Sequence, residues 1–183
     1  MAIDDLLVEA GSFRAVTIDD VISAAGVARS TFYRYFDDKA ELLLELSGSA
    51  VEEVIEAANR LLGSPTPSTR EELLEVARET VAVFVRHRPL LLALSEQAAT
   101  DPRAAATLRR SFGRAHQQAS ERIAAAQERG AARREIDADA VAGWLTWMAE
   151  RGMHQLIGPA DAPERERLET GLADIIWFTV FAR

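Results

Sequence analysis

The chain has 183 residues, 48% hydrophobic and 27% charged, which is the balance of one soluble globular domain or of a small module joined to a larger one. It contains no cysteine, so a disulfide frame, a thiolate metal site and covalent cysteine catalysis are all excluded. Its net charge of −8 argues against nucleic acid as a partner of the whole surface, an objection that weakens if only a small part of the chain touches DNA.

The opening residues, MAIDDLLVEAG, carry acids where a secretory signal carries bases and an apolar run. No stretch approaches the roughly 18 apolar residues of a membrane span. The richest, TVAVFVRHRPLLLAL, is broken by Arg86, His87, Arg88 and Pro89. A cytoplasmic protein without a membrane partner is expected.

Apolar residues recur at spacings of three and four among many Ala, Leu, Glu and Arg, and no strand-length alternation interrupts them. The pattern predicts an all-α chain of about nine helices, at about 3–11, 18–25, 29–36, 38–62, 69–87, 89–99, 103–130, 138–157 and 162–181. The run Gly63-Ser64-Pro65-Thr66-Pro67-Ser68 reads as a linker, and Pro89, Asp101-Pro102, Gly130 and Gly158-Pro159 as other helix ends. Three short helices followed by longer ones suggest a compact three-helix head at 1–45 and a helical body at 46–183.

In the head, Thr17 is placed to cap a helix, with Asp20 three residues on as capping partner. Ile18, Val21 and Ile22 give that helix one apolar face. Ala24 and Ala25 let a second helix cross closely, and Gly26 can take the left-handed conformation that ends the first. Helix, glycine turn and short second helix are the parts of a helix-turn-helix. On the second helix Phe32 and Phe36 face the core, while Ser30 and Arg34 lie opposite, flanked by Thr31 and Tyr33. A face of Arg, Ser, Thr and Tyr can donate to phosphates and reach base edges. Lys39, the only lysine, falls in the first turn of helix four, where backbone N–H groups also favour a phosphate.

Over Thr17 to Leu43, TIDDVISAAGVARSTFYRYFDDKAELL, the sequence resembles the TetR family of bacterial repressors. The resemblance includes the aromatic run Phe32-Tyr33-x-Tyr35-Phe36 and the lysine that follows. It implies that Thr17, Thr31, Tyr33, Tyr35 and Lys39 contact the DNA backbone and that Arg29, Ser30 and Tyr33 reach bases. Against the family pattern the sequence as given is expected to start a turn or more late, so that the family's basic arm is not part of it, a misassigned or trimmed start being the plain explanation. Ala28 stands where the family often has a capping Ser, a loss of about 0.5–2 kcal/mol. Arg14, Arg29, Arg34 and Lys39 are offset by Asp19, Asp20, Asp37 and Asp38, so nonspecific DNA affinity is expected to be weak and strongly salt-sensitive.

In the body, Ala115 to Ala132 and Gly143 to Arg151 are similar to an actinobacterial branch of the family, which implies an elongated apolar pocket for a small molecule. Independently, Phe84, Phe112, Trp144, Trp147 and Met148 are large side chains fit to line such a cavity, the alternative for each being plain core filling. Gln97, His116, Thr146 and His154 are candidate polar anchors. The last helix carries Leu168, Leu172, Ile175, Ile176 and Thr179 at three-and-four spacing and is apolar on most sides after residue 174. It is expected to be covered by a second copy of the chain in a twofold interface, or else by its own body.

Enzyme chemistry is not expected. The histidines His87, His116 and His154 show no metal-binding spacing, and no nucleophile elbow, Walker loop or dinucleotide fingerprint occurs, so neither metal nor cofactor is predicted. The expected function is a ligand-responsive regulator of double-stranded DNA, most simply a repressor that binds a palindromic operator as a homodimer. The competing expectation is a dimeric small-molecule-binding protein that has lost DNA binding.

Overall fold

A computed structural model describes residues 3–63 and 67–182. Its described residues form eight α-helices and no strand: α1 Ile3–Ala10, α2 Ile18–Ala25, α3 Arg29–Tyr35, α4 Lys39–Leu61, α5 Arg70–Ala98, α6 Pro102–Glu128, α7 Ala138–Gly152 and α8 Ala162–Ile176. Both α7 and α8 run on into π turns, Met153–Ile157 and Trp177–Phe181. In these the Gly158 N–H reaches the Met153 carbonyl at 3.0 Å and the Ala182 N–H the Trp177 carbonyl at 2.7 Å. Of the linker expected at 63–68, residues 64–66 lie outside the described residues.

One boundary is corrected. The sequence divides 69–99 into two helices at Pro89, whereas α5 passes through it unbroken. Proline removes a helical hydrogen bond and crowds the preceding turn, at about 3 kcal/mol. Val81 and Phe84 before it and Leu90, Leu91 and Leu94 after it are all buried. At about 1.5–3 kcal/mol for each large apolar side chain, that burial outweighs the penalty.

The chain packs as two compact units. The first is the chain through Glu52 together with His87–Arg110, and the second is Glu53–Arg86 together with the chain from Ser111 on. Helices α4, α5 and α6 each contribute to both. In the first unit Leu7, Phe13, Val16, Phe32, Leu43 and Leu94 are buried. In the second, one apolar cluster joins Leu61 and Leu73 to Ile123, Ala142, Leu145, Ala173, Ile176 and Val180. Polar ties cross that cluster. The Thr80 hydroxyl donates to the Ala57 carbonyl at 3.1 Å, Asn59 Nδ2 donates to Gln118 Oε1 at 2.5 Å, and Arg70 pairs with Asp174. Among the described residues no helix is long and apolar enough to cross a membrane, and no group of acidic or histidine side chains could hold a metal ion.

Candidate nucleic-acid interface

The geometry begins at Thr17. Its hydroxyl accepts from the Asp20 N–H at 3.1 Å, while its own N–H and hydroxyl donate to the Asp20 carboxylate at 2.8 and 2.7 Å. This reciprocal cap satisfies donors that the first turn of a helix otherwise leaves open, and it holds the Asp20 carboxyl below its ordinary range. At the other end of α2, Gly26 has φ 64° and ψ 32°, a conformation that costs other residues about 1–2 kcal/mol. The Val27 N–H reaches back to the Ile22 carbonyl at 3.1 Å and closes the turn.

Helix α3 starts without a side-chain cap at Ala28, as the sequence implies. It buries Phe32 alone, whose ring meets Tyr33 edge-on at 5.4 Å and Phe36 at 5.6 Å. Arg29, Ser30, Tyr33, Arg34 and Tyr35 are exposed and Thr31 is half-buried. Two cations are laid on aromatic rings, Arg29 over Tyr33 at 5.7 Å and Arg34 over Tyr35 at 5.0 Å. Arg29 also donates from Nη1 to Asp19 Oδ1 at 2.6 Å, bridging α3 to α2. The Tyr33 hydroxyl, followed by the Asp19 carboxylate, pushes the Arg29 pKa up.

Lys39 is more committed than the sequence suggests. Its ammonium donates to the carbonyls of Phe13, Arg14 and Val16 at 3.1, 3.2 and 2.7 Å and sits 4.9 Å from the centre of the Phe13 ring. Partial burial, then the neighbouring Arg14, lower its pKa. All three N–H donors thus have an acceptor within the head, and a phosphate at this lysine competes with the loop ahead of α2. Thr17 is likewise committed, through its hydroxyl, to Asp20.

Behind α3, Arg103 Nη2 donates to Asp38 at 2.9 Å and to Asp101 at 2.9 Å. Asp38 caps α4 by accepting from the Glu41 N–H at 2.7 Å. The Glu41 N–H, ahead of Arg103, keeps the Asp38 carboxyl below its ordinary range, and Arg103 holds Asp101 down at about 2. Sequence reasoning misses Arg103, since 65 residues separate it from Asp38 and no local pattern links them. Gln97 adds a bond to Asp101 at 3.4 Å.

In the second unit the large side chains divide. Phe84 is buried, with its ring edge-on to His154 at 5.2 Å, and Phe112 is half-buried, with its ring 5.2 Å from Trp147. Trp144, at 80% exposure, and with it Trp147 and Met148 lie on the outward surface of α7. In the single chain these three, expected to line a ligand cavity, face outward rather than into the core. The helix turns Ala142 and Leu145 inward, and the 100° advance per residue carries Trp144 and Trp147 to the other side, with Met148 at the flank. His116 Nε2 lies 3.0 Å from the Asp139 carbonyl and joins α6 to the start of α7.

On α8 Ile175 is 47% exposed and Leu168 and Leu172 are half-buried, as is Thr179 in the π turn that follows. Ile176, at 4% exposure, is covered by its own body, the second of the two covers expected for this helix: it belongs to the apolar cluster, one residue out of phase with Ile175. Phe178, at 59%, and Leu156, at 55%, are exposed apolar residues that the sequence assignment leaves out. For Phe178 the available signal is that the chain after residue 174 is apolar on most sides, which requires some large side chains to face outward.

Comparison with known proteins gives matches to both halves. Residues 5–46 match the family model described as bacterial regulatory proteins, tetR family, and residues 64–171 match the tetracyclin repressor-like C-terminal domain. The chain is 28% identical over 185 residues to the HTH-type transcriptional regulator EthR of Mycobacterium tuberculosis, covering 98% of this chain and 83% of that protein. In structure it is similar to the TetR family transcriptional regulator PfmR from Thermus thermophilus, with a TM-score of 0.70, 18% identity and coverage of 96% and 94%. It is also similar to the ketosteroid transcriptional regulator KstR2 of Mycobacterium tuberculosis, with a TM-score of 0.65, 15% identity and coverage of 100% and 96%. At such identities the two structural likenesses bear on fold alone.

Proposed function

The chain belongs to the TetR family of bacterial regulatory proteins, and from that premise we propose that it is a cytoplasmic repressor, a homodimer that holds a palindromic operator and releases it when a small apolar or amphipathic molecule occupies the body. The observation that carries the reading is α3. It is the second helix of a capped and glycine-turned pair, buries one phenylalanine, and presents Arg29, Ser30, Tyr33, Arg34 and Tyr35 outward with Thr31 half-buried beside them. In a helix-turn-helix such a helix enters the major groove, and a twofold dimer sets two of them in successive grooves about 34–36 Å apart. Residues 1–45 would read DNA and 46–183 bind ligand and dimerise. Thr17 and Lys39 act first inside the head, as cap and tie, and they contact phosphate only in that setting.

Support for the dimer comes from the outward faces of α7 and α8. Trp144, Met148, Ile175 and Phe178 are exposed, and Leu168, Leu172 and Thr179 lie half-buried. A second copy of the same surface is the natural cover for side chains of this size. We assign Phe84 and Phe112 to the ligand side of the body, with Trp147, in ring contact with Phe112, at its border. A ligand can release DNA only to the extent that it prefers the state in which the heads are wrongly spaced, and a full switch needs roughly a 10⁴-fold preference.

The test is a fluorescence-anisotropy titration of the full chain against a duplex from the region upstream of its own coding sequence, and against a random duplex of equal length, at low and physiological salt. Promoter-specific, steeply salt-dependent binding is expected. Equal affinity for the two duplexes would overturn the repressor reading and favour a small-molecule-binding protein without a DNA role.

A further inference from the structure

We propose that Arg29 and Asp19 together read one G·C base pair in each half of the operator, Arg29 on guanine O6 and N7 and Asp19 on cytosine N4. The proposal rests on the DNA-binding reading above and names the base chemistry at that site.

Arg29 is the first residue of α3, and the N-terminal residues of the second helix are those that meet base edges in a helix-turn-helix. An arginine there has two possible targets, a phosphate or a base, and the structure discriminates between them. Nη1 of Arg29 lies 2.6 Å from Asp19 Oδ1, and both side chains are more than half exposed. A carboxylate held against the guanidinium cancels most of its charge and repels a phosphate brought to the same place. The neutral acceptors O6 and N7 of guanine suffer no such repulsion. Guanidinium is planar with five donors; besides the Nη1 bond to Asp19 it meets the Tyr33 hydroxyl, and once that hydroxyl turns aside the Nε–Nη2 edge is a parallel two-pronged donor, the shape that pairs with guanine.

Asp19 contributes in a second way. Carboxylates accept from cytosine N4, the one major-groove donor of a G·C pair, so an Asp beside a guanine-reading Arg matches both partners of the pair. The side chain of Arg29 is also preorganised, with Tyr33 under the guanidinium at 5.7 Å and Asp19 at its end. Less rotamer freedom is then lost when DNA arrives. Arg34 provides the contrast within the same helix: it lies over the Tyr35 ring, on the turn farther from Asp19, and is the cation suited to a phosphate.

The experiment uses the full chain and a pool of randomised duplexes, followed by anisotropy titrations on the selected sequence and its single-pair variants. The wild type is expected to select an inverted repeat with a G·C pair at one symmetric position. Changing that pair to A·T in one half-site should weaken binding at least about five-fold. Arg29→Ala and Arg29→Lys should both lose preference at that pair while selecting the other positions unchanged, because lysine keeps the charge and lacks the fork. Asp19→Ala should reduce the same preference. The dependence of affinity on salt should be unchanged in Arg29→Ala, whereas loss of a phosphate contact lowers that slope by about one per site.

Retention of the G·C preference by Arg29→Ala, or a lowered salt slope in that variant, would overturn the proposal. So would an Asp19→Ala variant that binds every duplex more tightly with the G·C preference intact, since Asp19 would then only neutralise charge. Failure of the wild type to enrich any sequence would refute the DNA-binding reading itself and the proposal with it, an outcome distinct from enrichment without a G·C requirement at this position.

Discussion

Replacing Trp144 by alanine should weaken the proposed association of two copies while leaving the protomer as stable as before. A tryptophan presents about 150–250 Å² of burial potential, and four-fifths of Trp144 is uncovered in the single chain. If a second copy covers it, about 120–200 Å² leave water in each protomer, on the order of 3–5 kcal/mol by area. Area overstates affinity at interfaces, so the lower figure of about 2 kcal/mol, the threshold of an interface hot spot, is the safer one. Twofold symmetry doubles it to about 4 kcal/mol, nearly a thousand-fold in dimer Kd. The protomer should change by no more than about 0.5 kcal/mol, because Trp144 points away from the core that Ala142 and Leu145 enter. Sedimentation velocity over a concentration series measures the first quantity and urea unfolding of the monomeric fraction the second.

The neighbouring pair on α8 sharpens the test. Ile175→Ala should weaken association alone, whereas Ile176→Ala, one residue on, should cost about 2–5 kcal/mol of folding stability through the cavity it leaves. A Trp144→Ala dimer Kd within ten-fold of the wild type would refute the reasoning. Equal effects of the Ile175 and Ile176 substitutions on both measurements would refute the assignment of faces.

Lys39→Met should loosen the head by about 2–3 kcal/mol, since it strips charged donors from three carbonyls. Native-state hydrogen exchange should show faster exchange across residues 13–22 with the second unit unaffected, and unchanged protection there would count against the tie. Gly26→Ala should destabilise by about 1 kcal/mol, because φ is positive although the space for a Cβ is open. Gly48→Ala, in open space within a helix at ordinary φ, should instead stabilise by roughly 0.5–1 kcal/mol, and thermal melts that fail to give opposite signs would disprove the argument. Acid should act through Asp101, whose carboxyl sits at about 2 beside Arg103 against an ordinary 3.8. A folded-state pKa below the unfolded one contributes stability that is complete above about pH 4 and is lost as pH falls toward 2. Unfolding midpoints measured from pH 5 to 2 should fall over that window, and Asp101→Asn should flatten the fall. Glu169, raised by burial, works in the opposite sense and keeps the wild-type slope shallower than Asp101, Asp38, Asp20 and Asp174 would give together.

The head is legible in the sequence because its geometry is set by neighbours. Thr17 caps through Asp20, Gly26 turns the chain, and Phe32 faces inward, each within a few residues of its partner. Sequence reasoning fails where distant packing decides. At Pro89 a local rule is overridden by apolar side chains on both flanks. Arg29 and Arg103 each have one near partner, Tyr33 and Asp101, but their second partners, Asp19 on α2 and Asp38 ahead of α4, are brought in by packing, and no local pattern announces those pairings. The body shows why size is a poor guide to burial. Periodicity separates the faces of α7 without saying which one meets the core, and bulk alone points to the wrong one. Close helix packing favours the reverse: the core face of α7 carries Ala142 beside Leu145, and α8 inserts Ala173, the two alanines being small enough to let helices approach. The bulk carried by Trp144, Met148, Ile175 and Phe178 is then left for the outside, where a monomer gains nothing from it. An outward face heavier in aromatic and branched side chains than the inward one is thus itself an argument for a partner surface. It also means that a substitution here is read in association before it is read in folding.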